Sequence, residues 1–134
     1  MQAAIPAQDA SVTPTAAARR LSLVLYTLYA LSFFSGGLTG LAAILINHIK
    51  YGDVSKTLYG SHFRWQMRTF WWTVLWWVAL LGSLLVIWLG MGRGNLGSVA
   101  WFVAVASMVI NPLWVIYRLI RGSLACIDGR RMPV

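Results

Sequence analysis

Residues able to do chemistry are few in this chain, and most of them recur on helical spacing. His62, Gln66, Thr69 and Thr73 follow one another at intervals of four, three and four, which places them on one face of a helix. Arg64 and Arg68 point well away from that stripe, because two residues on a helix turn through about 200°. Upstream, Gly36, Gly40, Ala43 and Asn47 repeat the spacing as a face of small residues ending in an amide. Downstream, Ala100, Ala104, Ser107, Asn111 and Arg118 share a face in the same way. Small residues let helices approach closely, and amides and hydroxyls then bond across the contact. We therefore expect a polar cluster of Asn47, His62, Gln66, Asn111 and Arg118 where helices pack, with Gly36, Gly40, Ala43 and Ala104 as packing surfaces. Such a cluster either ties helices together or holds a ligand, an ion or a proton.

Other chemistry is poorly supplied. The three carboxylates, Asp9, Asp53 and Asp128, fall in a tail, a loop and a terminus, so none forms a buried acid–base pair and no catalytic constellation is expected. His48 and His62 have no cysteine or carboxylate at ligand spacing, so no metal is expected, and nothing calls for a cofactor. Gly92-x-Gly94-x-x-Gly97 has the form of a dinucleotide fingerprint. It lacks the preceding strand and the acidic residue about 20 positions on, and reads as a tight turn between antiparallel spans. The single cysteine, Cys126, allows no intramolecular disulfide and reads as an idle thiol.

The elements that must position these residues are set by composition. Of 134 residues, 59% are hydrophobic and 10% charged, with a mean hydropathy of +0.69. A soluble domain carries roughly 25% charged residues and could not cover its surface with so few. The expected fold class is an all-α integral membrane protein. It would be a three-span helical bundle, residues 19–134 as a single domain, with a disordered tail over 1–18 and an interfacial helix leading into the second span. The spans are expected at about 21–49, 68–91 and 98–120.

Leu21–Ile49 covers 29 residues. As one helix it would be about 43 Å long, beyond a hydrocarbon core of about 30 Å. Tilt, a protruding end, a bend at Gly36-Gly37 or a shallow re-entrant hairpin would absorb the excess. Two complete spans are rejected because each arm would hold about 14 residues where a span needs about 20. Lys50–Gly60 reads as a polar connection with its turn at Gly52-Asp53, and Pro112 as a kink in the third span. Trp65, Trp71, Trp72, Trp76 and Trp77 crowd the changeover from the polar run at Ser61 to the apolar one, where amphipathic rings sit at a membrane interface.

The net charge of +8 is concentrated at the ends of apolar segments, which fits anionic headgroups rather than nucleic acid. Arg64 and Arg68 are the expected headgroup contacts. With three spans, Arg19, Arg20 and Arg93 lie on one side and the other eight basic residues on the opposite one. The positive-inside bias then puts the 50–67 connection and the C-terminus in the cytoplasm and the N-terminal tail outside.

The run Ser61-His62-Phe63-Arg64-Trp65-Gln66, following an apolar span that ends Ile46-Asn47-His48-Ile49-Lys50, resembles a family of small bacterial inner-membrane proteins with a domain of unknown function. That family is distantly similar to the twenty-kilodalton Tic subunit of the chloroplast inner-envelope translocon, which is described with four spans. His62 and Gln66 match its His and downstream Gln, and Tyr117-Arg118 with Arg121-Gly122 resemble its closing segment. The resemblance implies a multi-pass protein of the bacterial inner membrane without established enzymatic activity. The expected function is non-catalytic: a small subunit, an assembly factor or a translocation-associated factor binding other membrane proteins, or itself, through helix–helix contacts. The alternative is a small homo-oligomeric channel or carrier that uses the polar cluster as its passage.

Overall fold

The structure, a computed structural model, describes residues 13–89 and 94–133. Four helices follow in order, α1 (Thr13–Leu31), α2 (Leu38–Val54), α3 (Tyr59–Trp88) and α4 (Asn95–Ile127), with no strand among the described residues. Most of the expected tail, residues 1–12, lies outside the described residues, as do residues 90–93 of the expected glycine-rich turn, Gly92 among them. Thr13–Ala18 forms the first turns of α1 rather than tail.

The first apolar block is not one long helix. It folds as an antiparallel hairpin of α1 and α2, and the break falls at Gly36-Gly37. Gly36 has φ +61° and Gly37 φ +95°, conformations that side chains with a Cβ disfavour, so this pair permits a reversal that other residues would strain. Gly37 N–H donates to Ser32 C=O at 2.9 Å, and Thr39 N–H donates to Ser35 Oγ at 3.2 Å, which satisfies a donor at the start of α2. The reversal left open at Gly36-Gly37 is the one that forms, while neither arm is among the described helices long and apolar enough to cross a membrane. The helices run past that block, α1 through Arg19-Arg20 and α2 through Lys50–Val54. Gly36 consequently lies exposed in the turn and packs against no helix, whereas Gly40 and Ala43 are buried on α2. The turn expected at Gly52-Asp53 is also displaced, since both are helical and the chain reverses over 55–58.

α3 is one helix of 30 residues that includes both the expected interfacial helix and the expected second span, and α4 has 33 residues with Pro112 inside it. Two described helices, α3 and α4, are long and apolar enough to cross a membrane, not three. Within the most apolar stretch of each, 11% of α3 and 28% of α4 is buried. The core helix of a soluble domain would be mostly covered, and these two are mostly bare.

The contacts divide the chain into two compact units. One comprises the described residues up to Gln66 together with those from Gly122 onward, and the other comprises Met67–Arg121. In the first, the α1–α2 hairpin packs against the start of α3 and the end of α4. In the second, the remainder of α3 and α4 run antiparallel, Thr69 meeting Arg118.

Candidate functional site

In the first unit, α1 presents Ser22, Leu25, Tyr26 and Tyr29 at spacings of three, one and three, all buried on one face. Each polar member meets a different partner. The Ser22 carbonyl accepts from Gln66 Nε2 at 3.2 Å. Tyr26 Oη lies 3.1 Å from His62 Nδ1. Tyr29 Oη accepts from Asn47 Nδ2 at 3.0 Å. Because Gln66 and His62 are one turn apart on α3, the two helices run antiparallel here. The result is a polar column along the inner face of α1, about 10 Å from Ser22 to Tyr29 at helical rise. Asn47 and His62 have no exposed surface and Gln66 has 1%.

The tail after α4 closes the column. Gly129, at φ +66°, ends the helix with Arg130 N–H donating to Ala125 C=O and Gly129 N–H to Cys126 C=O, at 2.8 and 3.3 Å. These bonds form the glycine-terminated helix end in which the last carbonyls are satisfied by the chain turning back. The turn aims the Arg130 carbonyl at His62 Nε2, 2.9 Å away, and Met132 N–H at Ser61 Oγ, 3.1 Å away. Met132 is buried there. A carbonyl can only accept, so Nε2 carries the hydrogen. Nδ1 of the neutral ring is then the acceptor for the Tyr26 hydroxyl. The imidazole also lies between two aromatic rings, Tyr26 edge-on at 6.1 Å and Tyr59 tilted at 5.9 Å.

Two close approaches fix the walls. A Cβ on Gly122 would sit 2.7 Å from Cε1 and Cζ of Tyr26 and nearer still to its Oη, so glycine on α4 is what admits the ring. A Cβ on Gly60 would meet the Ser55 carbonyl at 2.6 Å, which keeps the α2–α3 turn tight. Arg19 Nη2 donates to the Ile127 carbonyl at 2.7 Å and ties the start of α1 to the end of α4.

In the second unit, Arg118 is 9% exposed, donates from Nε to Thr69 Oγ1 at 2.7 Å and lies 4.8 Å over the Trp114 ring. Asn111 is buried on the same helix face, with its Oδ1 lacking a hydrogen-bond partner. Ser83 and Ser107 each bond back to the carbonyl four residues earlier. An open groove of about 280 Å³ runs between α3 and α4, with Ala79, Gly82 and Ser83 facing Val99, Ala100 and Val103.

The five residues expected to cluster thus fall in two places: Asn47, His62 and Gln66 are brought together in the first unit, and Asn111 and Arg118 belong to the second. Ala104 is buried in the second unit, and Arg64 and Arg68 are exposed. Sequence reasoning missed Ser22, Tyr26, Tyr29 and Gly122. The signal was present in the helical spacing of Ser22, Tyr26 and Tyr29, although tyrosines within an apolar run pass for interface anchors.

Chemically, the column offers amides, hydroxyls and one neutral imidazole without a carboxylate. Both described acids are exposed and paired, Asp53 with Lys50 and Asp128 with Arg130. Among the described residues no group of three His, Cys, Asp or Glu could hold a metal ion. Comparison with known protein families, with curated proteins and with solved structures finds no match.

Proposed function

We propose that the chain is a multi-pass protein of a bacterial inner membrane that works without catalysis, as a small subunit or an assembly or translocation-associated factor engaging other membrane proteins through its helices. The observation that carries the membrane reading is the bare apolar surface of α3 and α4. Trp71, Leu75, Val78 and Leu81 on α3, and Phe102, Met108 and Leu113 on α4, are all at least half exposed. Lipid tails would cover them at no cost, and water would not.

The hairpin changes the expected topology. A reversal at Gly36-Gly37 returns the chain to the side on which it began, whether α1 and α2 enter the bilayer fully or shallowly. With α3 and α4 crossing, the start of α1, residues 55–58 and the end of α4 then share one side. That side holds ten of the eleven basic residues, all but Arg93. The positive-inside bias assigns it to the cytoplasm, where Arg64 and Arg68 meet anionic headgroups. On this reading the start of α1 lies on the inner side, where a single first span would have put it on the outer one.

The groove between α3 and α4 supports the helix-binding reading. A Cβ at Gly82 would meet nothing within 4 Å, so a transmembrane helix of a partner can approach the backbone there as small residues allow. Crosslinking in native membranes with Gly82→Leu as the comparison tests this. A stoichiometric partner captured by the parent and lost in the variant is expected. A chain captured only by lipid would refute the role. The second reading, an oligomeric channel or carrier, draws on the buried Asn47, His62 and Gln66, and predicts liposome flux that Gln66→Leu abolishes.

A further inference from the structure

Four buried side-chain oxygens, Ser22 Oγ, Asn47 Oδ1, Gln66 Oε1 and Asn111 Oδ1, have no hydrogen-bond partner, and the first three lie in the polar column. Ser22, Asn47 and Gln66 are each at most 1% exposed. Gln66 is anchored by its Nε2 at the Ser22 carbonyl, and Asn47 by its Nδ2 at Tyr29 Oη, so in each amide the donor end is used and the acceptor end is stranded. Stranded acceptors are costly in a protein interior and more so beside lipid, where nothing else can donate. Three of them in one column, contributed by α1, α2 and α3, would be a large fraction of the stability of a chain this size.

We infer that the polar column binds water, at two levels: one between Gln66 Oε1 and Ser22 Oγ, the other at Asn47 Oδ1 beside Tyr29. The stranded atoms define the ligand. Two are pure acceptors and the third is a hydroxyl, so the occupant donates hydrogen bonds to neutral oxygens. The two levels are separated by about two helical turns, with the His62–Tyr26 pair between them, so a single ion cannot serve both. A cation is further disfavoured because no carboxylate among the described residues faces the column, Asp53 and Asp128 being exposed and paired outside it. Water fits both levels, because each offers it two or more polar atoms counting the anchoring hydroxyl or carbonyl. This inference concerns the fold and does not depend on the proposed role in binding partners.

The test is water-to-protein polarisation transfer by solid-state NMR on the full chain in lipid bilayers. The side-chain amides of Gln66 and Asn47 should receive magnetisation at rates comparable with exposed Asn95 and well above the buried backbone amide of Ala104. Rates equal to that of Ala104 would overturn the assignment. Exchanging sodium and potassium for choline should leave both signals in place, and a shift on exchange would mean a cation and contradict the inference. Ser22→Ala gives an independent sign: a lowered melting temperature is expected if Oγ is hydrated, and a raised one, from removal of a dry orphan, would refute it.

Discussion

Gly122→Ala and Gly82→Ala are chemically identical changes in helix interiors, and the structure predicts opposite signs for them. Alanine is preferred over glycine in a helix by about 1 kcal/mol, so both variants start with that gain. At Gly82 nothing lies within 4 Å of the new methyl, and the gain should survive intact. At Gly122 the methyl would sit 2.7 Å from two ring carbons of Tyr26 and closer to its hydroxyl, so the ring must move. Overpacking of this kind costs roughly 1–3 kcal/mol. The displaced hydroxyl also leaves His62 Nδ1 without its donor, at about 1–3 kcal/mol for a buried acceptor. The net change for Gly122→Ala is therefore a loss of about 1–5 kcal/mol, equivalent to a fall in Tm of roughly 3 °C or more per kcal/mol. Thermal unfolding in mild detergent measures both. Tyr26→Phe removes the atom that comes closest and makes the Nδ1 contact moot, so the penalty of Gly122→Ala should shrink by about 1 kcal/mol or more in that background. A Gly122→Ala protein as stable as the parent, or more so, would refute the packing of α4 against α1.

Other variants probe separate contacts. Ending the chain after Gly129 removes the carbonyl that His62 donates to and the buried Met132 side chain, and should cost about 3 kcal/mol or more by the same assay, where a neutral result would remove the tail from the column. Asn47→Leu deprives Tyr29 of its donor and should lower stability by about 1 kcal/mol. Arg118→Lys keeps the charge but loses the Nε donor to Thr69 and the guanidinium over the Trp114 ring. It should cost about 1–2 kcal/mol, and full stability in this variant would argue against that geometry. For topology, single cysteines placed at Ala17 and Lys56 in a Cys126→Ala background should both resist a membrane-impermeant thiol reagent in intact cells. Labelling at Ala17 alone would put the start of α1 on the outer side and contradict the reading.

The helices were legible where periodicity and hydropathy agree. The stripe through His62 and Gln66, the small face through Gly40, Ala43 and Asn47, and the apolar stretches of α3 and α4 all follow from side-chain type at helical spacing. The α1–α2 reversal was legible only as one of several options at Gly36-Gly37, because hydropathy reports which residues suit lipid and not where backbone hydrogen bonding stops. Arg19, Arg20 and Lys50 are helical despite their charge, which lengthens both arms beyond their apolar cores. The division of the polar residues between the two units was also hidden. Asn47 and Arg118 look equivalent along the chain, both near the end of an apolar run, yet Asn47 answers to Tyr29 and Arg118 to Thr69. The role of the C-terminal segment rests on Asp128-Gly129. Only the left-handed turn at Gly129 shows that Arg130 offers His62 its carbonyl rather than its guanidinium.

The central claim is that lipid tails surround the apolar faces of α3 and α4. Spin labels at Val78, Leu81 and Leu113, introduced singly with Cys126 replaced by alanine and reconstituted in bilayers, test it most directly through their collision with oxygen and with a water-soluble nickel chelate. The account predicts high oxygen and low nickel accessibility at all three positions. Nickel accessibility matching that of a label at exposed Lys56 would contradict it.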